Sequence, residues 1–226
     1  MGRMLLVRHG QASFGTDDYD RLSPVGHQQA RRLGEWLVEQ GVPAPGVVLT
    51  GGLRRQVETA DGLLEGSGWS GARRVDPAWD EFDAGGVMAA LPGFAQRVGE
   101  LGERAGFQRL YVEATERWTA GVDDGDYTET WTGFRARVAG ALARAVEAAG
   151  EGDVLVVSSG GPITLVVAEL TLASATGADA ALPGVWGTLS AAYVNTGLSS
   201  LLLGRTGPRL STFNEHTHLA GDVTYR

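Results

Sequence analysis

Four short stretches hold the side chains able to do chemistry. Arg8-His9-Gly10 follows directly on the apolar run Met4-Leu5-Leu6-Val7. The arginine offers a planar fork matched to phosphate or carboxylate. The imidazole can serve as base, ligand or nucleophile, and the glycine lets the backbone approach whatever is bound. Arg54-Arg55 stand in the first turn of a helical stretch. Two cations there oppose the macrodipole by ~0.3–1 kcal/mol each, a conflict that a nearby anion would remove. Asp80, Glu81 and Asp83 lie among Trp79 and Phe82, and a carboxylate held against aromatic surface has its pKa raised towards general-acid use. Finally, Ser158-Ser159-Gly160-Gly161-Pro162 joins an apolar run to a helix, which puts free backbone N–H groups at the head of a dipole. Each stretch also has a plain structural reading: solvated arginines, an acidic surface loop with an anchoring aromatic, and a tight strand–helix turn capped by Ser159.

Composition narrows the chemistry. The chain has 226 residues, 43 % of them hydrophobic, enough for one sizeable core. A formal charge of −8 argues against nucleic acid or an anionic membrane as partner. Cysteine is absent, which excludes disulfides, thiolate catalysis and Cys-based metal sites. Lysine is absent too; all 19 cationic side chains are arginine, so Schiff-base catalysis and a Lys-bearing P-loop are excluded. The four histidines are at positions 9, 27, 216 and 218. His216 and His218 lack further ligands and read as surface or packing residues. The N-terminal apolar run is too short for a signal peptide, and no run approaches a membrane span, so the expected location is the cytoplasm.

The elements that must position these groups alternate along the chain. Residues 4–7, 47–49 and 154–157 read as short buried strands, with a further one at 73–75. Residues 10–22 read as a polar loop over the site. Ser23-Pro24 starts a helix as N-cap and first helical residue, and Gly41 with Pro43 stops it. Helices are expected from about Leu53 to Leu64, from about Phe134 to Ala149 and from Pro162 to about Leu172. Residues 87–121 read as a helical insertion broken at Pro92-Gly93 and Gly106. Beyond that the pattern turns β-like, with strands expected at 191–195, 199–203 and 209–213. This order predicts one domain over 1–226, a three-layer α/β/α sandwich with a mostly parallel central sheet. Three of the reactive stretches then fall at carboxyl ends of strands, where open α/β sheets place their ligands.

Taken together, these residues resemble the histidine phosphatase superfamily, the phosphoglycerate-mutase-like proteins. The likeness is carried by Leu5-Leu6-Val7-Arg8-His9-Gly10-Gln11-Ala12, then Leu22-Ser23-Pro24-x-Gly26-x-Gln28-x-Ala30 and Leu53-x-Arg55-x-x-x-Thr59-Ala60. It continues in Trp79-x-Glu81-Phe82, Val156-Val157-Ser158-Ser159-Gly160-Gly161 and Asn214 to Leu219. The resemblance implies that His9 is the nucleophile and becomes a phosphohistidine. It implies that Arg8 and Arg55 clamp the phosphoryl oxygens and that Glu81 is the proton donor, with Asp80 a poorer match for that role. Ser159, Gly160 and Gly161 would complete the phosphate cradle. No metal and no cofactor are implied, the arginines supplying the positive charge. The partner would be a small phosphorylated substrate; oligomeric state is left open.

The chain departs from the pattern at Ser159, where the resemblance implies a second histidine. A hydroxyl donates one hydrogen bond but carries no charge. Losing one such donor costs ~2.7–4 kcal/mol against an enzymatic advantage of ~8–23 kcal/mol, which weakens catalysis without abolishing it. Gly15 stands where the mutases have asparagine, and Glu81 lies outside a mutase-type substrate loop, so a phosphomonoesterase is expected over a mutase-type phosphotransferase. One alternative is a phosphate-binding or regulatory member of the same fold with little turnover; another is a serine hydrolase using Ser158 or Ser159, against which stands the lack of a Gly-x-Ser-x-Gly elbow there.

Overall fold

The computed structural model describes residues 2–13, 19–101, 104–150 and 152–225, the side chains at 100–101 and 104–105 excepted. Its strands are β1 (Gly2–Arg8), β2 (Val47–Thr50), β3 (Ala72–Val75), β4 (Val154–Ser158), β5 (Leu198–Gly204) and β6 (Gly207–Glu215). They form one sheet in the order β3-β2-β4-β1-β5-β6. β3, β2, β4 and β1 run parallel, and β5 and β6 are antiparallel to their neighbours. The parallel core explains the sequence pattern. β4 is buried at all five positions, so both faces of the strand are apolar. The edge strand β3 is exposed throughout and carries Arg73 and Arg74, which blunt a free edge.

Helices cover both faces. On one, α1 (Pro24–Glu39) and α2 (Arg54–Ser67) bury Leu33, Leu37, Ala60 and Leu63 against Leu5, Val7, Val48, Leu155 and Val157. The alternate residues Met4, Leu6, Leu49, Val154 and Val156 face the larger core on the other side. That side is built by α3 (Ala84–Ala89), α4 (Phe94–Leu101), α5 (Arg104–Thr119), α6 (Trp131–Ala149), α7 (Gly160–Leu172) and α8 (Ala178–Ala191). Ser23 caps α1 as expected: its Oγ accepts from Gly26 N at 3.1 Å.

Three expectations need correction. Residues 191–195 are not a strand; Ala191 closes α8, a helix that the sequence reading missed altogether. Pro183, Gly184 and Gly187 within those 14 residues weaken helix propensity. Burial of Leu182 and Trp186 outweighs that local preference. Gly106 is not a break, since α5 runs through it; the helical insertion also starts earlier, at Ala84, where the Asp83 side chain accepts from Gly86 N at 2.8 Å. Of the polar loop, residues 14–18, Gly15 among them, lie outside the described residues. Its two ends are bridged by Ala12 and Leu22.

Candidate active site

The carboxyl ends of β1, β2 and β4 lie side by side, which brings the distant motifs together. Arg8 pairs with Ser158 in the sheet, and His9 N donates to Ser158 O at 2.9 Å. The His9 carbonyl accepts from Thr196 N and Asn195 Nδ2, each at 3.3 Å. Next in the chain, Gly10 N donates to Thr59 Oγ1 at 2.9 Å, and that hydroxyl donates to Arg55 O at 2.6 Å. Thr59 thus ties α2 to the turn after β1, a physical reason for the Arg55-x-x-x-Thr59 spacing.

The His9 ring is buried, and its Nδ1 lies 2.8 Å from the Gly10 carbonyl. A carbonyl only accepts, so Nδ1 carries the proton and Nε2 keeps its lone pair. Arg55 Nε donates to that Nε2 at 3.2 Å. Burial first, then the charges of Arg8 and Arg55, hold the imidazole pKa well below its ordinary value. The ring is therefore neutral at neutral pH.

Arg55 is also buried, and its Nη1 binds Asp20 Oδ1 at 2.6 Å. The other oxygen of Asp20 accepts from Arg54 N at 2.8 Å. Asp80 Oδ1 accepts from Gly52 N at 2.6 Å and from Leu53 N at 3.2 Å. Two carboxylates of the chain itself thus meet the N-terminus of α2, which resolves the apparent conflict of cations at the head of a dipole. Asp80 is committed to this capping, which separates it from the neighbouring Glu81.

Arg8 directs its fork elsewhere. Nη1 donates to the Tyr193 carbonyl and Nη2 to the Tyr225 carbonyl, the latter at 3.0 Å. Its Nε is buried and has no partner among the described residues. That Nε faces the head of α7, where a β-carbon on Gly160 would lie 3.7 Å from it.

Glu81 directly precedes Phe82, a member of an aromatic cluster. Phe82 stacks on Trp118 at 4.8 Å between centroids, and Trp186, Trp131 and Phe134 pack around them. Glu81 Oε2 accepts from Gly161 N at 3.2 Å. Desolvation raises the carboxyl pKa despite that hydrogen bond and the nearby Arg55 and Arg8. Glycine at 161 leaves room for the carboxyl where it stands, because a β-carbon there would meet Glu81 Oε1 at 2.2 Å.

Ser159 takes the N-cap position of α7, but its hydroxyl makes no cap bond. Instead it accepts from Gln56 Nε2 at 2.9 Å. Ser158 Oγ donates to the Trp79 carbonyl at 2.6 Å. Neither serine has a histidine partner among the described residues.

His9, Arg8, Arg55, Glu81, Ser159, Gly160 and Gly161 thus converge, whereas Asp83 caps a helix and His216 and His218 lie apart. His218 Nε2 bonds Thr196 Oγ1 at 2.9 Å. Sequence reasoning missed Asp20, Gln56 and Tyr111, and held Thr59 only as part of a motif, without a role. Tyr111, from α5, is half-buried, and burial with the nearby Glu81 charge raises its phenol pKa. Gln56 did leave a signal: it is the third residue of α2, and its Oε1 accepts from Leu53 N at 3.2 Å, half of a capping box.

Such an arrangement defines a class. The conserved profile of the histidine phosphatase superfamily (branch 1) matches residues 4–215, and the chain belongs to that superfamily. Over 75 residues it is 39% identical to the 2,3-bisphosphoglycerate-dependent phosphoglycerate mutase of Thermobifida fusca (strain YX). That match spans 30% of this chain and 30% of the mutase. The fold is shared with a phosphoserine phosphatase of Entamoeba histolytica, solved as a mutant in complex with phosphoserine. There the TM-score is 0.66 at 18% identity, covering 97% of this chain and 100% of that one. It is shared also with a mycobacterial glucosyl-3-phosphoglycerate phosphatase, with TM-score 0.63, 23% identity and 95% and 99% coverage. The α-ribazole phosphatase of Shigella flexneri aligns with TM-score 0.62, 20% identity and 95% and 96% coverage. No helix among the described residues is long and apolar enough to cross a membrane.

Proposed function

We propose that the protein hydrolyses small phosphomonoesters through a phosphohistidine on His9, without a metal ion. The observation that carries this is the tautomer: with Nδ1 held by the Gly10 carbonyl, the lone pair of Nε2 lies beside Arg55. In the first step Nε2 attacks phosphorus, the ester P–O bond breaks, and Glu81 gives its proton to the departing oxygen. In the second step water attacks phosphorus, the N–P bond breaks, and the Glu81 carboxylate takes the proton from water. Arg55 and Arg8 Nε meet the phosphoryl oxygens, whose charge is spread in a loose transition state. Small phosphate esters of varied leaving group, as in the phosphoserine, glucosyl-3-phosphoglycerate and α-ribazole phosphatases of the same fold, are the substrate class this supports. The short stretch of identity to a mutase favours a second reading, in which a substrate hydroxyl replaces water in the second step.

The test is hydrolysis of para-nitrophenyl phosphate with chelator present, comparing wild type with His9→Ala. Turnover that vanishes in the variant, together with acid-labile phosphate trapped on the wild type, supports the reading. Equal rates in the two proteins overturn it. Phosphate binding without turnover would instead identify a binding member of the fold.

A further inference from the structure

The carboxamide of Gln56 is fully buried and engaged in three directions. Its Oε1 accepts from Leu53 N at 3.2 Å, while Nε2 donates to the Trp79 carbonyl at 3.2 Å and to Ser159 Oγ at 2.9 Å. Ser159 is equally buried. Its hydroxyl has one donor and two acceptor sites, and Gln56 uses an acceptor. The Ser159 proton is taken by no described residue. The second observation is Arg8 Nε, a buried donor also without an acceptor among the described residues, 3.7 Å from where a β-carbon on Gly160 would lie. Leaving buried donors unmade is costly, and here two stand at the head of one helix, beside the His9 strand end. One acceptor-rich group, a tetrahedral oxyanion, satisfies both.

We infer that Gln56 is a positioning residue for phosphate recognition. By donating to Ser159 Oγ it turns that hydroxyl's own proton towards a phosphoryl oxygen shared with Arg8 Nε. The same carboxamide fills the space beside position 159. It is backed closely by Gly51, where a β-carbon would meet Gln56 Oε1 at 2.0 Å. An imidazole at 159 would have to displace this carboxamide, whose Nε2 lies 2.9 Å from the present hydroxyl. Positions 56 and 159 form one unit, although 103 residues separate them. This inference rests on the phosphate site proposed above but not on turnover.

The experiment measures inorganic phosphate affinity by calorimetry, with melting temperature in parallel, for six proteins. They are wild type, Ser159→Ala, Gln56→Ala, the double alanine variant, Ser159→His, and Ser159→His combined with Gln56→Ala. Each alanine variant is expected to weaken phosphate about ten-fold, the scale of a hydrogen bond to a charged group, and the pair no more than either alone. Ser159→His alone is expected to stay weak, and addition of Gln56→Ala to restore wild-type affinity or better. Gln56→Met, which keeps volume without a donor, carries the test if Gln56→Ala does not fold. Additive losses, unchanged affinity in a folded Gln56 variant, full affinity in Ser159→His alone, or no phosphate binding by wild type each overturn the inference. Failure of the phosphatase reading is seen separately, as equal hydrolysis by wild type and His9→Ala while this cycle still shows coupling.

Discussion

Arg55 Nε donates to His9 Nε2 across 3.2 Å, so the one lone pair available for attack is covered by the cation that would bind the substrate. A phosphoryl oxygen is a stronger acceptor than an imidazole nitrogen, because it is charged. Its arrival would draw Arg55 away and uncover Nε2 in the same motion. Until then the cation helps keep the ring neutral.

Glu81→Gln is expected to lower kcat/KM, which reports the steps up to departure of the leaving group, by about 10²–10⁴-fold on alkyl phosphates, the usual worth of a positioned proton donor. On para-nitrophenyl phosphate the loss is smaller, because that leaving group departs without a proton. The kcat/KM values on glycerol phosphate and para-nitrophenyl phosphate measure the difference. Equal losses on both would mean that Glu81 acts on something other than the leaving oxygen.

The pH dependence follows from two opposite shifts. Attack needs neutral His9, whose pKa is lowered, and protonation needs neutral Glu81, whose pKa is raised. The kcat/KM profile therefore rises through the lowered imidazole pKa and falls through the raised carboxyl pKa, and Glu81→Gln removes the alkaline limb. Stability carries the same sign. A carboxyl with its folded pKa raised favours the folded state below its unfolded pKa, and that contribution is lost as pH rises through the folded value. Glu81→Gln should raise Tm at neutral pH, the gain shrinking as pH falls through the raised carboxyl pKa and being gone once pH is below the ordinary glutamate range. A Tm difference independent of pH would contradict this.

Asp20 holds Arg55 Nη1 and Arg54 N, both at the rim of the proposed phosphate site. Its carboxylate repels an incoming phosphoryl group and occupies one of the donors. Asp20→Asn is expected to tighten inorganic phosphate about 2- to 5-fold, the scale of a partly exposed ion pair, while lowering Tm through a weaker helix cap. Calorimetry and thermal melting test both halves; weaker phosphate binding would show that Asp20 orients Arg55 rather than competing for it.

Gly161→Ala places a β-carbon 2.2 Å from Glu81 Oε1. The carboxyl must swing off the head of α7, so activity on alkyl phosphates should fall about as far as in Glu81→Gln, about 10²-fold or more. An unchanged rate would show that Glu81 reaches the leaving oxygen from another position.

By itself the sequence determined the parallel strands and most of the helices, and it picked out the strand ends from which the candidate site is built. Those features are written locally. Four apolar residues before Arg8-His9-Gly10 make a buried strand, Ser23-Pro24 starts a helix, and the small residues after Val157 let a helix begin against a neighbour. Tertiary structure decided what those groups touch. Only packing shows that Gln56 meets Ser159, that Asp20 meets Arg55, and that the Arg8 fork is turned to the carbonyls of Tyr193 and Tyr225. It also made a helix of residues 178–191 against their local preference, because burying Trp186 beneath the site outweighs a proline and two glycines. Local periodicity records which face of an element is apolar; which distant side chain answers a buried donor depends on how the elements come together, and no spacing along one segment encodes that.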